Sequence, residues 1–479
     1  MNRTTSDPGD GPLSRRDLLG RGGMGFGALA FAGLLGERAL GAADGDDRGG
    51  SIRPLAPRSP HFAPRAKHVI HLFLNGGPSH VDTFDPKPAL AKYEGKSIGE
   101  GGPMAGKALP SPFKFARHGR GGVELSEIFP HLATCADDLC VVRSMYGDEP
   151  VHESSLMLMN CGDGRQVRPS VGSWVTYGLG TENQNLPGYV AMCPEGKPLM
   201  GAQNWRSAFL SAAHQGTFLD TRSARVDRLI EHVRSDRAST KEQRLQLDLL
   251  AEMDGRHRAS RPEDSRLDAQ LQTFELAYRM QMEATDAFDI RREPAEVREL
   301  YGDDVQGRQM LIARRLVERG VRYVQVFHGP GQPWDSHDDI AGDHRRLATE
   351  CDRAIAALLK DLKRRGLLDE TLVLCGGEFG RTPAVQAGGD GANMPRGRDH
   401  NHEGFSVWLA GGGVKRGHVH GATDELGAKA VEGRVHVHDL HATILHLLGF
   451  DHERLTYRYA GRDFRLTDVR GRVVREILS

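Results

Sequence analysis

The pattern of apolar positions along the chain predicts alternating strands and helices. Residues 68–74 form a β-branched, apolar run that ends abruptly at a Gly-Gly-Pro turn, as a buried strand does. A second strand is predicted over 139–143, and helical spacing precedes it over 126–140. Further along, predicted helices over 309–319, 344–365 and 439–448 alternate with predicted strands over 321–327, 371–374 and 405–409. This alternation predicts an α/β fold with a mostly parallel central sheet and helices on both faces.

The segment at about 221–300 interrupts the alternation. It is rich in charged residues, and its apolar residues, among them Val226, Leu229 and Val233, recur at helical intervals. We interpret it as a charged helical insertion that packs on one flank of the domain. We favour the interpretation that it forms a solvated amphipathic surface and contributes no catalytic or binding residues.

Composition narrows the class of protein. The 479 residues include 63 Lys and Arg against 64 Asp and Glu, so the net charge is −1 and a uniformly basic nucleic-acid binder is disfavoured. With 38% hydrophobic residues the chain has the material for a large core. The six cysteines are too few for a disulfide framework, and we interpret Cys351 and Cys375 as core thiols. The chain has 22 histidines, more than its 17 Phe or its 9 Tyr. This high histidine content suggests metal binding as a hypothesis.

The first residues have the features of a targeting segment. Arg15 and Arg16 precede an uncharged stretch at 22–36 that is too short for a membrane anchor, and small residues follow at 41–43. This order resembles a twin-arginine signal peptide over 1–43. We interpret residues 44–66 as a linker and residues 67–479 as one domain. We therefore expect the twin-arginine translocase to export the protein to the periplasm or cell envelope, with no transmembrane anchor after cleavage. A disordered tail with a chance arginine pair is the alternative.

Polar side chains gather where the predicted strands end. In a parallel sheet the ligands bind beyond the carboxyl ends of the strands, so residues that follow different strands meet at one edge. The candidates that this rule selects include, in chain order, Asn75, Asp82, Arg143, Ser144, His152, Asp335, His337, Glu378, Arg381 and His400. Any one of them is a common surface residue, but carboxylates and imidazoles from five strands together indicate a site.

Mixed oxygen and nitrogen ligands indicate a divalent metal. Zinc or manganese suits such a set best, whereas calcium prefers oxygen alone. One or two ions fit the number of candidates, since paired ions about 3.5–4 Å apart can hold the attacking and leaving oxygens of a phosphoryl or sulfuryl transfer. Arg143 and Arg381 are candidates to clamp the non-bridging oxygens, with surface salt bridges as the alternative.

Three segments also carry a family resemblance. They are FLNGGPSHVDTFDPKP at 73–88, GEFGRTP at 377–383 and DLHATILHLLG at 439–449. They closely resemble the exported proteins of domain-of-unknown-function family 1501, which is grouped with the alkaline phosphatase and sulfatase superfamily. The resemblance runs from about residue 68 to the C-terminus and implies an alkaline-phosphatase-like fold.

The resemblance also implies roles for individual residues. Asp335, His337, Glu378 and His400 are similar to metal ligands of the superfamily, and Asn75 stands where the first strand usually ends in an Asp ligand. The sulfatase pattern Cys-x-Pro-x-Arg is absent, because Cys-Gly-Asp-Gly-Arg at 161–165 lacks the proline. This departure disfavours a formylglycine sulfatase.

The nucleophile is left open by the sequence. Its position by resemblance falls on His152, and Ser144 or Ser154 are the alternatives. We favour His152 or metal-activated water over a serine, and expect activity at neutral or alkaline pH, because a protonated imidazole neither ligates nor attacks.

The expected function is an exported, metal-dependent hydrolase of phosphate or sulfate esters, acting on a small-molecule or polysaccharide ester. Two alternatives remain open. One is a catalytically inactive cell-envelope binding protein on the same fold, for which the missing nucleophile and Asn75 are the evidence. The other is an atypical polysaccharide sulfatase.

Overall fold

The structure is a computed structural model that describes residues 54–99, 106–223, 225–229, 239–260, 278–279, 286–386 and 396–479. The predicted signal peptide and the first part of the predicted linker lie outside the described residues. So does much of the predicted insertion, of which the helices Val226–Leu229 and Thr240–Ser260 are described.

Nine strands of the described chain form one central sheet. They are β1 (His68–Phe73), β2 (Leu139–Tyr146), β3 (Tyr189–Cys193), β4 (Thr217–Asp220), β5 (Tyr323–Phe327), β6 (Thr371–Gly376), β7 (Phe405–Ala410), β8 (His418–His420) and β9 (Val435–His436). Their order is β8-β2-β7-β6-β1-β5-β3-β4, and β9 also pairs with β2. The central strand β1 pairs in parallel with β6 and β5, and its six residues are all buried, as a strand covered on both faces requires.

One strand of this mostly parallel sheet runs in the opposite direction. β7 runs antiparallel to both of its neighbours, β6 and β2, whereas the other pairs in the sheet are parallel. The hydrophobic pattern does not encode strand direction, which long-range pairing decides. As a consequence, the amino end of β7 lies at the same edge as the carboxyl ends of β1, β5 and β6.

Helices cover both faces of the sheet, as predicted. On one face, α3 (Val305–Glu318) and α4 (Ile340–Arg364) pack against Ile70 and Leu72 of β1. On the other face, α1 (His152–Cys161), α2 (Val171–Leu179) and α5 (Val437–Leu447) pack against Val69 and Phe73. Alternate residues of β1 thus enter two separate cores. The mixed α/β fold class is confirmed.

Shorter elements complete the domain. The helical spacing over 126–140 corresponds only to a short helix, Pro130–Ala133, and a 3-10 turn, Ala136–Asp138, because the apolar residues there instead line loops against the core. The described residues also include the helices His80–Thr83 and Ala295–Tyr301, with 3-10 turns at Pro88–Tyr93, Gly201–Trp205, Ala212–His214, Ile290–Arg292 and Arg475–Ile477. Two-stranded pairs join Ser97–Ile98 to Gly106–Lys107, Phe115–His118 to Val123–Ser126, Ala422–Thr423 to Ala430–Glu432, and Tyr457–Tyr459 to Arg462–Phe464.

One further pair matters for the site. Gly380–Val385 and Arg398–Asn401 form an antiparallel pair, here called the site hairpin, between β6 and β7. All six cysteines are buried free thiols, in agreement with the prediction of core thiols. Among the described residues, no helix combines the length and the apolar character needed to cross a lipid bilayer.

Candidate metal centre

Four side chains converge at the carboxyl edge of the sheet. His152, Asp335, His337 and His400 each offer a ligand atom, and these atoms lie within 4.8 Å of one another. The Oδ1 atom of Asp335 lies at the middle of the group, 3.2, 2.8 and 3.4 Å from the Nε2 atoms of His152, His337 and His400. One carboxylate oxygen therefore faces three imidazoles.

Different elements bring these residues together. Asp335 and His337 lie in the loop between β5 and α4, and His152 is the first residue of α1, which follows β2. His400 lies in the site hairpin directly opposite Arg381. It reaches this edge because β7, which the hairpin precedes, runs antiparallel.

The ring orientations direct lone pairs toward Asp335. His152 Nδ1 lies 2.6 Å from Glu378 Oε1, and His337 Nδ1 is hydrogen bonded to the side-chain oxygen of Gln386. Each Nδ1 faces an acceptor and so carries the proton, which leaves the lone pair of a neutral ring at Nε2. The Nε2 atom of His152 is buried and makes no hydrogen bond of good geometry, although Asp335 is close. Electron pairs that face one another in this way fit a bound cation.

The charges of the group shift its proton equilibria. Burial by itself would raise the pKa of Asp335, but the close approach of the three histidines and the charge of Arg381 hold it far below its usual range. Burial lowers the pKa of His152, yet Asp335 and Glu378 raise it overall. Asp335 likewise raises the pKa of His337, whereas burial lowers that of His400. A metal ion at this position competes with protons for the same nitrogens.

Arg381 borders the group but is fully engaged. Its guanidinium is buried, and Nη2 lies 2.6 Å from Asp335 Oδ1. Its remaining N–H groups face His337 Nε2 and the backbone carbonyls of Gly76, Gly77, Trp334 and Arg398. Arg381 thus holds Asp335 and the surrounding loops in place, and none of its N–H groups points to an open substrate position.

Asn75, predicted as a metal ligand, lies outside the group. Its Nδ2 donates to the carbonyls of Gly329 and Gly331 at 2.9 and 2.6 Å, and its Oδ1 accepts from the backbone N–H of His328 at 3.2 Å. An amide serves this position because a carboxylate has no N–H to donate. Asn75 therefore shapes the loop after β5 that carries Asp335.

Asp82 and Glu378, also predicted as ligands, have other partners. Asp82 is buried in an ion pair with Arg398, with 2.7 Å between Oδ2 and Nε. Glu378 is buried behind His152, where its carboxylate accepts from the His152 ring and from the backbone N–H of Gly76. Of the predicted ligands, the structure brings together Asp335, His337 and His400.

Two of the predicted catalytic residues are also engaged elsewhere. Arg143 donates to the Phe84 carbonyl at 2.7 Å and pairs with Glu124 at 3.3 Å. The Ser144 hydroxyl donates to the Gly433 carbonyl at 2.6 Å. Both residues lie in β2, and their contacts support the loops around them. His152 is the predicted catalytic residue that lies within the group itself.

The sequence analysis missed Gln386 and Phe379. Gln386 follows the first strand of the site hairpin, and no local pattern marks a lone glutamine as the partner of a histidine. The Phe379 ring lies 4.7 Å from that of His152 and 4.8 Å from that of His400, measured between ring centroids. Its place in the Gly-Glu-Phe-Gly-Arg motif was the available signal.

Fold and site together define an α/β protein with a candidate metal centre at the carboxyl edge of a mostly parallel sheet. Residues 66–478 match the family described as protein of unknown function (DUF1501). The chain belongs to that family, as its motifs predicted. No curated protein matches the sequence.

Several solved structures are similar to this chain. One is the PsFucS1 sulfatase from Pseudoalteromonas sp., with 14% identity and a TM-score of 0.36 over 81% of this chain and 69% of that one. A second is the lipoteichoic acid synthase LtaP from Listeria monocytogenes, with 10% identity and a TM-score of 0.35 over 88% and 79%. A third is the alkaline phosphatase from the Antarctic bacterium TAB5, with 10% identity and a TM-score of 0.30 over 73% and 92%.

Proposed function

We propose that the protein is a metal-dependent hydrolase of phosphate or sulfate esters. The observation that carries the proposal is the group around Asp335, in which histidine lone pairs and a carboxylate oxygen converge at the edge of the sheet where α/β proteins bind ligands. The motif resemblance to the alkaline phosphatase and sulfatase superfamily supports this reaction class.

The donor set fits a divalent metal ion. Asp335, His337 and His400 supply one oxygen and two nitrogens, and their side chains are 21–28% exposed, which leaves one side open to a substrate. Two imidazoles and one carboxylate suit zinc or manganese. When bound, such an ion polarises an ester oxygen and lowers the pKa of water to about 7.

His152 is proposed as the catalytic base. Its Nε2 faces the group, while its Nδ1 proton is held by Glu378. As the oxygen of water bonds to phosphorus or sulfur, Nε2 takes the proton from that water and then delivers it to the departing ester oxygen. Water and ester are consumed, the acid and the alcohol are released, and His152 returns to its neutral form.

Metal binding is the first prediction. Replacing His337 by Ala removes one of three ligands, so the purified variant should retain less than about a tenth of the wild-type zinc or manganese, in line with the 10–100-fold losses that even outer-shell changes produce. Elemental analysis after dialysis measures this. His131→Ala, which changes an exposed histidine, is the control. Equal metal content in wild type and His337→Ala would overturn the site.

Ester hydrolysis is the second prediction. Wild-type protein with added zinc or manganese should cleave phosphate monoesters, phosphate diesters or sulfate esters, and His152→Ala should reduce kcat by about 10²–10⁴-fold, the usual contribution of a positioned base. Ser144→Ala should stay active, because that hydroxyl is bonded to Gly433. Acid-labile phosphate trapped on His152 would make this residue the nucleophile instead. No turnover on any of the three ester classes would favour the binding protein on the same fold.

Export is proposed separately, from the first 43 residues alone. Arg15 and Arg16 precede a weakly apolar stretch with several glycines, which supports recognition by the twin-arginine translocase and cleavage near Ala43. Replacing both arginines by lysine should retain the precursor in the cytoplasm, as immunoblots of fractionated cells would show. Unchanged processing of that variant would contradict this part of the proposal.

A further inference from the structure

We infer that Glu378 is a positioning residue for His152 rather than a metal ligand. In this arrangement its carboxylate fixes the tautomer and direction of the His152 ring, so that Nε2 points at Asp335. The inference rests on the proposed function of His152 as a base. It gives a role to a buried acid that the metal site does not use.

Burial and hydrogen bonding carry the first part of the argument. The Glu378 side chain is 0% exposed. Its two carboxylate oxygens accept from the backbone N–H of Gly76, whose nitrogen lies 3.0 and 3.2 Å away, and Oε1 lies 2.6 Å from His152 Nδ1. A buried carboxylate accepts hydrogen bonds and cannot donate them when ionised. Nδ1 of His152 therefore carries the proton whenever this contact is made, and the basic lone pair of the neutral ring is at Nε2.

Packing carries the second part. The Phe379 ring, next to Glu378 in sequence, lies against the His152 ring at 4.7 Å between centroids with the planes tilted by 43°. Phe379 thus limits rotation of the ring, and Glu378 sets which nitrogen faces inward. Both residues follow β6, so one short loop holds the imidazole.

A competing explanation is that Glu378 merely anchors α1. The Ser155 hydroxyl in the first turn of that helix donates to the Glu378 backbone carbonyl at 2.8 Å, which is an anchor of its own. Ser155→Ala removes this anchor and leaves the carboxylate untouched. It is therefore the matched control for Glu378→Gln, which keeps the shape of the side chain and removes its charge.

The experiment compares wild type, Glu378→Gln and Ser155→Ala as zinc-loaded, full-length protein. Long-range ¹H–¹⁵N spectra of ¹⁵N-histidine-labelled protein report which ring nitrogen carries the proton, and His152→Ala identifies the His152 signals. In wild type, His152 should be protonated at Nδ1. In Glu378→Gln this tautomer should become a minor form and kcat should fall about 10–100-fold, while zinc stays stoichiometric. Ser155→Ala should match wild type in both readouts.

Three results would overturn the inference. One is an unchanged His152 tautomer in Glu378→Gln. A second is a loss of turnover in Ser155→Ala as large as that in Glu378→Gln, which would make Glu378 an anchor only. The third is loss of zinc in Glu378→Gln, which would restore Glu378 as a ligand. If wild type hydrolyses no ester, the proposed function fails, while the tautomer spectra still decide whether Glu378 positions His152.

Discussion

At the scale of single residues, a buried charge with a fixed partner explains why Asp82 is not part of the candidate metal centre. Asp82 and Arg398 are both 0% exposed in their side chains, and they pair with each other. Burial would raise the pKa of Asp82, but the charge of Arg398 lowers it overall. An acid in such a pair has a structural role, because separating it from its partner leaves an unpaired buried charge.

Asp82→Asn tests this structural role. The variant leaves Arg398 buried without its counter-charge, so the free energy of unfolding should fall by about 3–5 kcal/mol while metal content is unchanged. Urea denaturation and elemental analysis measure the two. Glu127→Gln, which removes the partner of Arg345 in an exposed pair at 3.5 Å, is the control and should cost less than about 1 kcal/mol. Loss of metal without loss of stability would return Asp82 to the list of ligands.

At the scale of elements, the loop after β1 approaches the loop after β5 so closely that only glycine fits between them. Gly76 has φ +113°, and a Cβ atom added there would lie 2.5 Å from the backbone nitrogen of Asp335 and 2.8 Å from that of Trp334. Backbone on both sides of the contact cannot move aside cheaply. The Gly-Gly-Pro turn therefore sets where the Asp335 loop lies relative to the sheet.

Gly76→Ala should shift Asp335 and weaken metal binding by tenfold or more. A displacement of about 1 Å at a metal or catalytic site is sufficient for a loss of that order. The control is Gly461→Ala, where φ is +80° but a Cβ atom would meet nothing within 4 Å. It should cost about 1–2 kcal/mol of backbone strain and keep wild-type metal affinity. Competition with a chelating dye measures the affinity, and equal values for both variants would contradict the close approach.

At the scale of the whole molecule, buried neutral histidines couple folding to pH. Burial lowers the pKa of His71, His214, His344 and His441 to about 3 in each case. In the unfolded chain these groups titrate at about 6.5. Between pH 6.5 and 3 the unfolded state thus binds more protons than the folded state, so stability falls as the pH falls.

The free energy of unfolding of metal-free protein should therefore decrease between pH 6.5 and 4.5. Each of the four histidines contributes a slope of about 1.4 kcal/mol per pH unit. His152 and His337, whose pKa values are raised, affect stability above pH 6.5 instead. Urea denaturation at several pH values measures the slope. His71→Gln removes one of the four titrating groups and should reduce the slope by about 1.4 kcal/mol per pH unit. A flat profile over this range would contradict the burial of these histidines in neutral form.

The sequence by itself determined the alternation of strands and helices and the edge of the sheet at which chemistry is expected. Apolar runs and helical spacing are local signals, and β1, β5 and β6 lie where those signals predicted them. The rule that strand ends share an edge then selected Asp335, His337 and His400 together with residues that have other roles.

Only the tertiary structure decided which of those candidates meet. The direction of β7 places His400 beside Asp335, and Glu378 lies behind His152 although 226 positions separate them in the chain. Asn75, Asp82, Arg143 and Ser144 have the chemistry of a site, but their hydrogen bonds go to neighbouring loops. The physical reason is that a side chain's partners are set by long-range packing, which residue type and local spacing do not encode.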